Sequence, residues 1–199
     1  MTRPLKILLF VLSVPLLILV SWLTYHETRV PQNEREVLNR MIELLKEQRY
    51  DKGAQIAQNW VKDTRRDASR DWVMYDQIAF LYVAKAYNKP GSRDDSVRLA
   101  QENLEKSLCL FENQNQGDIS VELFEIGGAY ERIGDISDKQ KCESYEKARE
   151  LYVRQLASIK GDSYTAYGKT ILLEPVRTEM RKHLDATNVK YMNAGCQSH

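Results

Sequence analysis

The eight residues from Ser163 to Thr170, SYTAYGKT, end in the Gly-Lys-Thr of a phosphate-binding loop. That chemistry requires glycine at the first position, where backbone N–H groups must wrap the phosphates, and an apolar strand leading into the loop. Ser163 holds the first position and no apolar strand precedes it, so nucleotide binding is not expected. Histidine offers metal or acid–base chemistry, yet His26, His183 and His199 stand far apart, and none belongs to an H-x-x-x-H pair. No nucleophile sits in the strand–turn–helix setting that would expose and activate it. The three cysteines, Cys109, Cys142 and Cys196, contain no close pair. Cys109, in SLCLF, reads as a small buried apolar residue of a helix. In an oxidising compartment Cys142 and Cys196 could bridge the body of the chain to its tail; an odd count and wide spacing leave that open. These residues lead us to expect no enzyme, no cofactor, no metal and no small-molecule substrate.

Charge excludes a further class. Lys plus Arg total 29 against 28 for Asp plus Glu, and two of the basic residues, Arg3 and Lys6, fall in the first 23 positions, which hold no acid. The remainder is close to neutral, so no basic face for nucleic acid is expected. At 199 residues the chain accommodates one ordinary domain and an appendage. Only 5 Pro and 9 Gly, among abundant Leu, Ala, Glu, Lys and Arg, favour an all-α fold.

Residues 7–23, ILLFVLSVPLLILVSWL, form an uncharged run of 17. A spanning helix needs about 20 mostly apolar residues, with roughly 17 tolerated. Trp22 and Tyr25 stand where an interfacial aromatic belt belongs. The rival reading is a cleaved signal peptide, for which Arg3 and Lys6 supply a basic start. Its best cleavage site, after Ser21, has Leu19 two residues earlier, where a small side chain is needed. An uncleaved signal anchor is therefore expected over residues 1–29, with a short cytoplasmic start. Arg29, Arg35 and Arg40 nearly balance the positive-inside count. Because short basic starts stay in the cytoplasm, the rest of the chain is expected in the periplasm of a bacterial inner membrane.

Beyond the anchor, similar positions recur at a spacing of 43 residues. Val37, Phe80 and Leu123 are large and apolar, and four residues on come Met41, Ala84 and Gly127. Leu44, Tyr87 and Tyr130 follow three later; Gln48, Gly91 and Gly134 come next, two of them glycines suited to ending a helix. Each unit continues into a second amphipathic helix, with landmarks Tyr50, Gly53, Ala57 and Trp60 in the first copy. Val97, Ala100, Leu104 and Ser107 mark the second, and Cys142, Tyr145 and Ala148 the third.

This pattern resembles the tetratricopeptide repeat. The third copy, LFEIGGAYERIGD followed by SYEKAREL, carries it most clearly through Leu123, Ile126, Gly127, Tyr130, Gly134, Tyr145 and Ala148. The usual period is about 34 residues. Here extra residues fall after Gly91 and between units, Arg40 stands at a usually apolar place, and Lys141 replaces a small residue. The resemblance implies that the expected transmembrane helix is followed by an α-α superhelix of about three hairpins over residues 30–158. Residues 159–199 would supply a capping helix, from Leu172 to Ala186 with Pro175 in its first turn and Val176, Met180 and Leu184 on one face, and then a loose tail. A plain antiparallel helical bundle is the alternative.

In this family the first helix of each pair lines a concave groove. Carried over, the groove positions are Leu38, Ile42 and Leu45 in the first copy. The second copy contributes Leu81, Lys85 and Asn88. The third contributes Phe124, Gly128, Glu131 and Arg132. Members that grip the acidic tails of cytosolic chaperones carry Lys and Asn at the first two positions, where this chain has Leu38 and Ile42. The resemblance thus implies a membrane-anchored scaffold that holds a protein or peptide partner by a few apolar anchors. Its alternative is an accessory or regulatory subunit that docks a catalytic partner.

Overall fold

The computed structural model describes residues 31–63, 68–114, 122–166 and 169–196. The expected membrane span at residues 7–23 lies outside them; among the described residues no helix is long and apolar enough to cross a membrane. Two compact units are present, residues 1–37 and 38–199. The described part of the first unit holds the start of helix α1 (Glu34–Lys46). It opens with a reciprocal cap: the Asn33 side-chain oxygen accepts from the Glu36 N–H at 3.0 Å, while the Glu36 carboxylate accepts from the Gln32 N–H at 2.9 Å.

Among its described residues the second unit is helical apart from one pair of short strands. After α1 come α2 (Tyr50–Val61), α3 (Asp71–Asn88) and α4 (Arg93–Gln114), then α5 (Glu122–Ile136) and α6 (Lys141–Ser158). Of these, α3 pairs with α4 and α5 with α6 as helical hairpins. Strands β1 (Ser163–Ala166) and β2 (Lys169–Leu172) follow, antiparallel with Ser163 opposite Leu172, and α7 (Glu174–Asn193) closes the chain. The segment that ends like a phosphate loop is thus a β-hairpin.

Helix α3 is the centre of the unit, packing on α2, α4 and α5. Accordingly it is apolar on more than one face, with Met74, Ile78, Leu81 and Tyr82 buried on one side and Ala79, Val83 and Ala86 on another. It stops at Asn88 because Pro90 forces Lys89 into an extended conformation, φ −129° and ψ 79°. The proline, not Gly91, ends the helix. Gly134 does not end one either: α5 runs on to Ile136, and a Cβ at Gly134 would lie 2.5 Å from the Tyr145 ring. Its role is close contact between α5 and α6.

Val37, Met41 and Leu44 of α1 are buried, as are Leu123, Gly127 and Tyr130 of α5. In α3, however, the buried set is Ala79, Val83 and Ala86, one residue before the expected Phe80, Ala84 and Tyr87. The true spacings are 42 and 44. One residue rotates a helical position by about 100°, so Phe80 and Tyr87 emerge on the surface, 38% and 71% exposed.

Tyr152 of α6 is fully buried and packs against Gly127, whose Cβ would come within 2.8 Å of the ring. Gly127→Leu should therefore lower stability by about 1–3 kcal/mol through overpacking. Urea unfolding of the full chain checks this, and an unchanged midpoint would contradict the contact.

The C-terminal segment also departs from expectation. A loose tail from residue 187 is not what the chain forms: α7 continues to Asn193, with Thr187 and Tyr191 buried on the same face as Met180. Pro175 does sit in its first turn. The helix packs on α6, and a disulfide between Cys142 and Cys196, Cα atoms 5.4 Å apart, joins the start of α6 to the residues just beyond α7. Cys109, expected inside, is exposed and carries a free thiol.

Candidate partner-binding groove

Between α3 and α5 lies an open cavity of about 510 Å³, with Tyr152 of α6 and His183 of α7 completing its walls. Phe80 of α3 and Phe124 and Arg132 of α5 face into it. The Arg132 guanidinium sits over the Phe80 ring, 5.7 Å from its centroid. Phe124 meets His183 edge-on, centroids 4.9 Å apart at 89°, and contacts Tyr152 at 5.5 Å. An aromatic cluster thus joins a groove helix to the cap.

The polar end of the cavity is a linked network. The Tyr152 hydroxyl donates to Glu131 at 3.1 Å, and the Lys190 ammonium donates to Glu131 at 2.7 Å and to Asp135 at 2.8 Å. Asp135 also accepts from the Tyr145 hydroxyl at 2.8 Å. Burial alone would lower the Lys190 ammonium; its hydrogen bonds to Asp135 and Glu131 prevail and hold it above the ordinary lysine value. Burial, then the hydrogen bond to the Asp135 carboxylate, pushes Tyr145 up to about 12. Burial and the negative charge of Glu131 likewise push Tyr152 upward.

Raised folded-state values favour the protonated hydroxyl in the fold. The stability they contribute is present below the unfolded tyrosine value of about 10 and is lost as pH rises through the folded values. The urea midpoint should fall above about pH 10, and Tyr145→Phe should make that fall shallower; a Tyr145→Phe profile identical to the parent would contradict this origin.

The expected groove residues divide. Phe124, Gly128, Glu131 and Arg132 all border the cavity. Leu38 and Leu45 are half-buried and Ile42 is 50% exposed on α1. The second copy's three do not face the groove. Leu81 is buried, 2% exposed, with its Cδ1 2.9 Å from the position of a Cβ on Gly53. Lys85 ties α3 to α2 through an ion pair with Asp51 at 2.7 Å. Asn88 folds back onto the Ala84 carbonyl at 2.8 Å. All three are displaced by the one-residue register shift, which places Phe80, Ala84 and Tyr87 where they were expected.

Tyr152, His183 and the buried carboxylate of Asp76 also border the cavity without having been singled out for it. Tyr152 has a legible signal in retrospect, lying seven residues after Tyr145 on the same helical face. His183 and Asp76 have none, because tertiary packing alone brings them there. Among the described residues, His, Cys, Asp and Glu nowhere gather in a group of three placed to hold a metal ion. No protein-family model, curated protein or solved structure matches the chain.

Proposed function

We propose that this chain is a membrane-anchored scaffold of tetratricopeptide-like hairpins that holds a protein or peptide partner in the groove between α3 and α5. The observation that carries the reading is the open cavity lined by Phe80 and Phe124; Ile42 and Tyr87 are also exposed. Large apolar side chains left in contact with water on neighbouring helices favour a protein occupant. The uncharged run at residues 7–23 supplies the anchor. The Cys142–Cys196 bridge supports an oxidising compartment, such as the periplasm, because cytosolic thiols are kept reduced. In this reading the chain holds its partner and catalyses nothing itself.

The test is photo-crosslinking of the full chain in its native cells, with benzoylphenylalanine in place of Phe80. Arg98, exposed on α4 and paired with Glu102, is the control position. A discrete adduct from position 80 alone supports the groove; no adduct, or equal adducts from both positions, contradicts it. The adduct's mass also separates the two readings, since an accessory subunit would trap one enzyme in fixed ratio.

A further inference from the structure

A second cavity, of about 410 Å³, lies between α4 and α6 and shares no residue with the groove. Its walls are two acidic helical stripes, Glu105 and Glu112 on α4 and Glu143, Glu146 and Glu150 on α6. The two helices are tied together where Gln101 donates to the Ser144 hydroxyl at 3.5 Å, and again by the Arg154–Glu112 ion pair. Two cations offset part of the charge. Lys147 pairs with Glu150 at 3.0 Å, and Arg154 pairs with Glu112 and, at 3.7 Å, with Glu150. Glu105, Glu143 and Glu146 are exposed and have neither an ion pair nor a hydrogen bond among the described residues.

The floor supplies an observation independent of those charges. Tyr130 of α5 is 4% exposed, borders the cavity and makes no hydrogen bond among the described residues. Burial, then the negative charges of Glu105, Glu143 and Glu150, push it upward, so it stays a neutral hydroxyl directed among carboxylates of both walls. A buried hydroxyl without a partner is costly. An ammonium group answers both needs, donating to the hydroxyl oxygen and to a carboxylate. Leu108 and the Tyr130 ring offer apolar surface to methylene groups. The carboxylates do not converge as a metal site would: among the described residues no three acidic, His or Cys side chains gather around one point. On each wall they are strung over two turns, about 10 Å, which suits positive charges spaced along a flexible chain. The volume falls within the range of small-molecule sites, about 300–1,000 Å³. We propose that this cavity binds a linear aliphatic polyamine, with its ammonium groups between the two glutamate stripes, one of them on the Tyr130 hydroxyl, and its methylenes over Leu108.

Equilibrium dialysis of radiolabelled spermidine against the full chain in detergent, at about 0.15 M salt, tests this. Saturable binding of one molecule per chain is expected, with butylamine competing at least about tenfold more weakly because it carries one charge. Glu105→Gln combined with Glu146→Gln should weaken binding by about tenfold or more. Tyr130→Phe, which keeps the ring, should weaken it by about three- to tenfold. Both variants should unfold at urea concentrations no lower than the parent's. Absence of saturable binding, or affinity unaffected by these substitutions, would overturn the proposal. Displacement by Mg²⁺ at the same concentration as spermidine would show a surface that attracts any cation, and would overturn it too. A Lys-rich peptide that binds the cavity more tightly than spermidine would assign it to a protein segment instead.

Discussion

Replacing Cys142 and Cys196 together by serine should lower the stability of the chain by up to about 4 kcal/mol, through the chain-entropy effect of opening a loop of this size. The bridge spans 54 residues and joins the start of α6 to the residues just beyond α7. Between its ends the chain runs down α6, through the hairpin and back along α7, so the disulfide closes a circuit that the β-hairpin closes at the other end. Without it α7 keeps Tyr191 buried, the Arg149 guanidinium over the Tyr191 ring at 4.6 Å, and the Lys190 pairs. The fold should therefore weaken without being lost. Urea unfolding measures the difference. Thiol counting on denatured, unreduced protein provides the chemical check: one reactive thiol, Cys109, agrees with the bridge, and three would contradict it.

Tyr152→Ala should cost about 3–5 kcal/mol, the usual range for deleting a buried aromatic side chain. The ring is completely buried, rests on Gly127, packs against Phe124 and holds Glu131 through its hydroxyl. Tyr152→Phe separates these contributions. It keeps the packing and removes one hydrogen bond to a charged acceptor, worth about 1.5–3 kcal/mol at most, because Lys190 still pairs with Glu131. If the alanine and phenylalanine variants unfold at the same urea concentration, the packing role assigned to this ring is wrong. The effect also reaches function, since Tyr152 forms part of the groove wall and its loss would enlarge the cavity next to Phe124.

The helical hairpins were legible because their apolar residues recur at helical intervals, as with Val97, Ala100 and Leu104 in α4, all buried. Middle-helix register was not. A uniform spacing of 43 is the mean of the actual 42 and 44, so it fits the outer helices and misses the middle one by a residue. Helix α3 offered little to correct it: packed on α2, α4 and α5, it carries apolar side chains around much of its circumference, and a one-residue shift still finds Phe80, Ala84 and Tyr87. That single shift misplaced Leu81, Lys85 and Asn88. In α5, where Leu123, Gly127 and Tyr130 mark the packed face, the next position round the helix is fixed, and Phe124, Gly128, Glu131 and Arg132 border the cavity.

The C-terminal helix was read too short for a different reason. Its last two core positions are Thr187 and Tyr191, whose hydroxyls hide them from a search for purely apolar periodicity. The disulfide was not decidable from spacing, because pairing of Cys142 with Cys196 depends on α7 folding back antiparallel along α6. The walls contributed by Asp76 and His183 likewise depend on packing between helices distant in sequence.

The most direct measurement is the crosslink from position 80, made in two otherwise identical chains, one of them carrying Gly128→Leu. The account predicts a discrete adduct in the parent and its disappearance in the variant, with both proteins unfolding at the same urea concentration. An adduct of equal yield in the variant would mean that the partner bypasses the groove, and the scaffold reading would fall with it.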